Sequence, residues 1–186
     1  MVRDSEKTKA RLLEAAAVEF AQYGIAGARV DRIATAAEAN KQLIYAYFGS
    51  KDELFDRVFS IHVVRSLEAV DFDAANLPAY AGRLFDHFED NPAALRLSTW
   101  YRLERPSGAG LQAVVTVNKT RLERLRDAQR CGQLASHFEP LQMLTLIQAV
   151  ATSWATTNPE LGATRGTNRA LRRRTVIEAV ERLVAA

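Results

Sequence analysis

The chain has 186 residues, 48% of them hydrophobic and 25% charged, with a formal net charge of +3 and a single cysteine, Cys131. That is the composition of a globular protein of one large or two small domains. No apolar run approaches the roughly 20 residues of a membrane span, the charged start MVRDSEKTKAR lacks the apolar stretch of a secretory signal, and one cysteine excludes an internal disulfide, so the chain is expected to be soluble and cytoplasmic.

Arg3 and Lys7 read as a short basic arm, and Ser5 or Asp4 caps a first helix running to about Gln22, with Leu13, Ala17 and Phe20 on its buried stripe and Gly24 just past its end. Val30, Ile33, Ala34 and Ala37 follow at i, i+3, i+4 and i+7, an apolar stripe on a second helix of about two turns. Glu38 and Ala39 break that pattern, and Asn40 caps a third helix from Lys41 to Phe48 that stops at Gly49. Ser50 with Glu53 has the form of a capping box for a fourth helix, Lys51 to about Val70. Two short helices around a tight turn make a helix-turn-helix, whose second helix is shaped for the DNA major groove.

Residues 71–77 read as a loop before a helix from Pro78 to about Glu89. Asn91 caps the next, with Pro92 at its first position, and that helix runs to about Arg105, where Pro106, Gly108 and Gly110 break the chain. A long helix spans Leu111 to about Arg130, ending near Gly132; Pro140 starts an eighth that ends before Asn158 and Pro159; a ninth covers about Asn168 to Val184. No segment shows a period of two with turn signals, so the expected fold is all-α, about nine helices, with residues 1–50 as a DNA-binding domain joined through helix four to residues 51–186.

On the third helix, Ile44, Tyr47 and Phe48 point to the core, whereas Gln42 and Ala46 fall on the opposite side with Leu43 and Tyr45 on the flanks. Gln42 can pair with an adenine edge, Leu43 or Ala46 can meet a thymine methyl, and Lys41 can reach a guanine or a phosphate. Lys51 stands at the N-terminus of helix four, where free N–H groups favour a phosphate, and Arg29 and Arg32 at the start of helix two can grip the same strand. Net charge does not carry this assignment, because residues 1–57 hold nine basic and nine acidic side chains.

Ile33-Ala34, the Ala37–Asn40 turn, Ile44-Tyr45, Tyr47-Phe48, and Ser50-Lys51 with Leu54 together resemble the DNA-binding signature of the TetR family of bacterial repressors, in register with no insertion or deletion over about residues 8–56. Two positions depart from it: Glu38 stands where the family usually has Gly, which asks a left-handed backbone of a non-Gly residue, and Asn40 stands where Ser or Thr is usual. The resemblance implies base contacts from Lys41, Gln42 and Leu43 and backbone contacts from Tyr45, Tyr47 and Lys51. With Arg29, Arg32, Asn40 and Ala46 these form the expected DNA-binding set.

The resemblance further implies a homodimer on double-stranded DNA at a palindromic operator, released when a small-molecule inducer of unknown identity binds the large domain and helix four swings. Phe85, Phe88, Trp100, Tyr101 and Asn118 supply the apolar surface and polar handle of such a pocket. On helix eight, Leu144, Gln148, Ala151 and Ala155 form a small-residue seam; with Ile177, Val180 and Val184 of helix nine they are the expected dimer interface. His62, His87 and His137 are scattered without metal-ligand spacing, and no nucleophile–base set, glycine-rich phosphate loop or carboxylate pair suggests an enzyme or a cofactor. The alternative is a ligand-free architectural or adaptor DNA-binding protein of the same fold, favoured if the large domain's core is tightly filled.

Overall fold

The structure is a computed structural model that describes residues 2–105, 112–156 and 168–185. Among these residues the chain forms nine α-helices and no strand. They are α1 (Val2–Gly27), α2 (Val30–Ala36), α3 (Lys41–Phe48), α4 (Lys51–Ala69), α5 (Leu77–Asp90), α6 (Pro92–Glu104), α7 (Gln112–Arg130), α8 (Pro140–Thr152) and α9 (Arg169–Val184). The expected breaks at Pro106, Gly108 and Gly110, the start at Leu111 and the end at Asn158 and Pro159 lie outside the described residues.

Three ends differ from expectation. The backbone of Arg3 and Lys7 is helical, so the expected arm is the first turns of α1. Gly24 lies inside α1 at φ 66° and ψ −173°, a break followed by a further turn rather than a plain terminus. α8 stops at Thr152 and passes into a short 3-10 turn, Ser153–Ala155, which takes Trp154 and Ala155 off the α-helical register.

Packing sorts the helices into two compact units: α1, α2, α3, α4 as far as Arg65, and α6; then the end of α4 with α5, α7, α8 and α9. The first unit is centred on Leu12, Ala16, Phe20, Ile33, Ile44, Leu54, Phe55, Val58 and Leu97. Its α1 stripe is Leu12, Ala16, Ala17 and Phe20, which keeps the expected Ala17 and Phe20 and has Leu12 buried in place of Leu13, which is only partly buried. Phe20 meets Phe55 edge-on at 5.1 Å, and Tyr101 of α6 stacks flat on Phe59 of α4 at 3.7 Å. Arg96 of α6 donates to the carbonyls of Ala21 (2.7 Å) and Gln22 (3.2 Å), satisfying acceptors that the break at Gly24 releases.

In the second unit α5 packs along both α8 and α9 over Tyr80, Leu84, Phe85, Met143, Ile147, Val176 and Val180. Gly82 lets α9 come close, since a β-carbon there would stand 3.0 Å from Ile177 Cδ1. A row of ion pairs lines the same seam: Arg169 with Asp86 and Asp90, Arg172 with Glu89 (2.6 and 3.0 Å), and Arg173 with Asp86 (2.6 Å). The Arg169 guanidinium holds the Asp90 carboxyl below the usual carboxylate range.

Candidate nucleic-acid interface

The turn between α2 and α3 is a Schellman motif, in which Ala39 N–H donates to Ala34 O (3.0 Å) and Glu38 N–H to Thr35 O (3.1 Å). The residue after the cap must then take a left-handed backbone, and Glu38 does so at φ 49°, the one non-glycine residue with positive φ among the described residues. The same motif ends α7, where Gly132 fills the position at φ 70°. Glu38 is exposed and reaches Arg11 at 3.4 Å, a surface pair of little energetic weight. Glu38→Gly should therefore raise stability by about 1 kcal/mol, the left-handed penalty it removes, with unchanged operator affinity. Thermal melts of the two proteins test this; a lower melting temperature for the glycine variant would contradict it.

Asn40 Oδ1 accepts the Gln42 N–H at 2.8 Å and starts α3. The helix has two opposed faces: Ile44 and Phe48 are buried, whereas Lys41, Gln42, Tyr45 and Ala46 are exposed and Leu43 and Tyr47 are half-buried on the flanks. This is the division that the helical wheel predicts except at Tyr47, which is expected in the core and is only half-buried against it. The Tyr47 hydroxyl lies 3.1 Å from Ser5 Oγ, which fixes the ring against α1 with its oxygen near the surface.

The basic residues are more committed than the sequence suggests. Lys41 pairs with Asp31 at 2.9 Å, which raises its pKa, and Lys51 donates to the Ala28 carbonyl at 3.2 Å. An ammonium has three donors, so the Lys51 amine keeps others for a phosphate beside the free N–H groups of α4. Ser50 Oγ accepts the Glu53 N–H at 3.1 Å, as expected at this cap. Gly49 is required before it by its φ of 78°, which strains any side chain; the Glu53 carboxylate that a β-carbon would meet is exposed and can swing aside.

Arg32 was expected to grip DNA, yet its guanidinium is tied to Glu19, with Nε at 2.8 Å, donates to Gly27 O at 3.0 Å, and covers the Tyr23 ring at 4.4 Å. Glu19, 8% exposed, also accepts the Arg29 N–H at 2.8 Å. Arg29 at the N-cap of α2 makes no side-chain cap of its own, and the Glu19 carboxylate holds the N–H of this N-cap residue instead. Glu19 is absent from the expected site. Its signal was legible, since an acid one turn beyond Ala16 on the buried stripe needs a cation.

The five expected ligand residues do not share one unit. Trp100 and Tyr101 belong to the first, with Trp100 against Gly24 and Tyr101 on Phe59; Phe85, Phe88 and Asn118 belong to the second. Phe85 is 1% exposed in the second core, Phe88 packs against that core, and the Asn118 Oδ1 is buried without a hydrogen-bond partner.

The expected dimer seam requires a correction. Leu144, Ala151 and Val180 are 4%, 2% and 0% exposed inside the chain's own second core, so they present nothing to another chain. Ile177 is taken up against Gly82, Val184 packs on the core, Gln148 is half-buried beside Tyr80, and Ala155 has left α8. The exposed face of α8 is instead Thr145 and Ala149, continued by the C-cap residue Ser153 and flanked by Leu141 and Leu146, with Leu171 exposed on α9.

Residues 12–58 match the family described as "Bacterial regulatory proteins, tetR family", and residues 76–182 the "Tetracyclin repressor-like, C-terminal domain". The chain is 39% identical over 164 residues to the HTH-type transcriptional repressor SCO4008 of Streptomyces coelicolor, covering 86% of this chain and 83% of that protein. It is also similar to the crystal structure of SCO4942 from the same organism, at 43% identity and a TM-score of 0.85 over 95% of this chain and 98% of that one. A TetR family transcription regulator from Marinobacter aquaeolei shares the fold, at 17% identity and a TM-score of 0.73 over 96% of this chain and 98% of that one.

Proposed function

The chain belongs to the TetR family of bacterial regulatory proteins, a DNA-binding transcriptional regulator, and on that premise we propose that it is a cytoplasmic, ligand-responsive repressor that binds a palindromic operator as a homodimer. One observation carries the DNA assignment: α3 buries Ile44 and Phe48 and turns Lys41, Gln42, Tyr45 and Ala46 outward on the other side. Residues 1–50 read the operator, and residues 51–186 bind the inducer and the second protomer. Gln42 reads a base edge; Leu43 and Ala46 meet apolar base surface; Tyr45, Tyr47, Lys51 and Arg29 hold the backbone. Arg32 acts through Glu19, as a positioning residue that holds the start of α2.

Gln42→Ala should weaken operator binding by about 1–3 kcal/mol and relax preference at one base pair per half-site. Lys51→Ala should weaken every sequence alike and flatten the dependence on salt. Binding profiles against a genomic fragment library at fixed salt distinguish the two. An unchanged profile for Gln42→Ala would remove that residue from base readout.

Dimerisation is assigned to the exposed face of α8, where Thr145, Ala149 and Ser153 let another helix approach and Leu141 and Leu146 flank the contact. Ala149→Glu should give a folded monomer in sedimentation with operator affinity reduced at least tenfold, because one recognition helix rarely suffices for specific binding. A folded Ala149→Glu dimer would place the interface elsewhere. Inducer and operator favour different conformations of the dimer, so that with inducer bound the recognition helices no longer stand about 34 Å apart, one turn of DNA.

A further inference from the structure

We propose that the second unit holds an anion site built on Arg121 of α7, and that its occupant is a small monoanionic organic carboxylate with a hydroxyl or amine beside the carboxylate. The proposal deepens the inducer reading above and rests on it. Arg121 is 4% exposed. Its Nη2 donates to the Leu67 carbonyl (2.8 Å) in the last turn of α4, and its guanidinium lies over the rings of Phe72 (5.5 Å) and Tyr80 (5.6 Å). Its Nη1 is buried without a hydrogen-bond partner, and among the described residues no carboxylate pairs with it. Buried charges are ordinarily paired, because an uncompensated one is costly.

The surroundings add positive charge rather than removing it. Arg83 of α5 also acts on the Tyr80 phenol; its Nη2 donates to Asp71 O at 3.0 Å, and its Nε is buried without a partner. The phenol does not supply the missing charge, since burial pushes its pKa up. Asn118 stands three residues before Arg121, on the same face of α7, and its Oδ1 is buried and unpartnered as well. β-Carbons at that spacing lie about 5–6 Å apart. One carboxylate oxygen on Nη1 with a neighbouring hydroxyl or amine on Oδ1 would satisfy both atoms. A monoanion matches one unpaired cation, whereas a dianion would carry excess charge into the interior. Drawing the guanidinium onto an anion weakens its hold on Leu67, and so couples the site to the end of α4.

The test uses calorimetry on the full chain with three probes: 2-hydroxybenzoate, benzoate and the neutral 2-hydroxybenzamide. Both acids should bind more tightly than the amide, with 2-hydroxybenzoate the tightest. Arg121→Met should lower the affinity of both acids at least tenfold and that of the amide less than twofold. Asn118→Ala should lower 2-hydroxybenzoate by about fivefold, as expected for one hydrogen bond, and leave benzoate, which lacks the hydroxyl, unchanged. If Arg121→Met fails to fold, Arg121→Lys keeps the charge and should retain acid binding within about tenfold, the size of one lost charge-assisted hydrogen bond. No heat from either acid, or an amide that binds as tightly as the acids, overturns the site. Fluorescence anisotropy on an operator fragment separates the two readings. Carboxylate binding that leaves the operator bound removes the inducer role and keeps the site. Release of the operator by the amide, undiminished in Arg121→Met, keeps an inducer and removes the site.

Discussion

Ala151→Glu should unfold the second unit rather than release a folded monomer. Ala151 is 2% exposed, in a core with Met143, Leu144, Ile147 and Val180. A carboxylate there loses its hydration without gaining a cation, and neutralising it still leaves a polar group too large for the space. The cost should be about 4 kcal/mol or more, in the range that marks a buried-charge lesion. That is a large part of the roughly 5–15 kcal/mol that holds an ordinary domain together. Circular dichroism with urea should show lost helicity or a much lower midpoint, while Ala149→Glu, two residues earlier on the exposed face, keeps the parent's helicity in the absence of urea. A stable, fully helical Ala151→Glu protein would mean that this side chain is not in the core.

The second large effect is expected at Gly24. Its φ of 66° with ψ of −173° lies in a region that is essentially glycine's alone, where another residue costs on the order of 1–3 kcal/mol. A β-carbon would also stand 2.8 Å from Trp100 Cδ2, adding about 1–3 kcal/mol of overpacking. Gly24→Ala should therefore destabilise the first unit by roughly 2–6 kcal/mol and remove operator binding at temperatures where the second unit remains helical. Trp100→Leu in the same chain should recover the contact part and leave the backbone part. Denaturation of the single and double variants, followed by helicity, separates the two. A loss below 1 kcal/mol for Gly24→Ala would show that the break relaxes without strain.

Arg32 and Ala151 show where reading the chain alone went astray, for related reasons. A helical wheel states which residues share a face but not what covers it. Arg32 sits beside Arg29 in sequence, and only the folded chain brings Glu19 of α1 to it, ten residues or more away. On α8 both the Leu144–Ala151 seam and the Thr145–Ala149–Ser153 seam are narrow enough for close helix packing, and α5 occupies the first. The ion-pair row of Asp86, Glu89 and Asp90 with Arg169, Arg172 and Arg173 joins side chains 79 to 87 positions apart, so no local spacing reports it.

The sequence by itself determined the local features. Helix starts and stops at Asn40, Ser50, Gly49 and Gly132, the faces of α3, and the left-handed strain at Glu38 all depend on hydrogen bonds and steric limits within a few residues. A period of 3.6 residues and a cap are written in the chain, and neighbouring atoms suffice to enforce them. The tertiary structure alone decided which apolar seams are spent inside the chain, that Glu19 holds the N–H of Arg29 at the start of α2, and that Trp100 lies against Gly24 while Arg121 holds the end of α4. Those contacts join residues 10 to 76 positions apart, and packing resolves them only when the helices compete for the same surface.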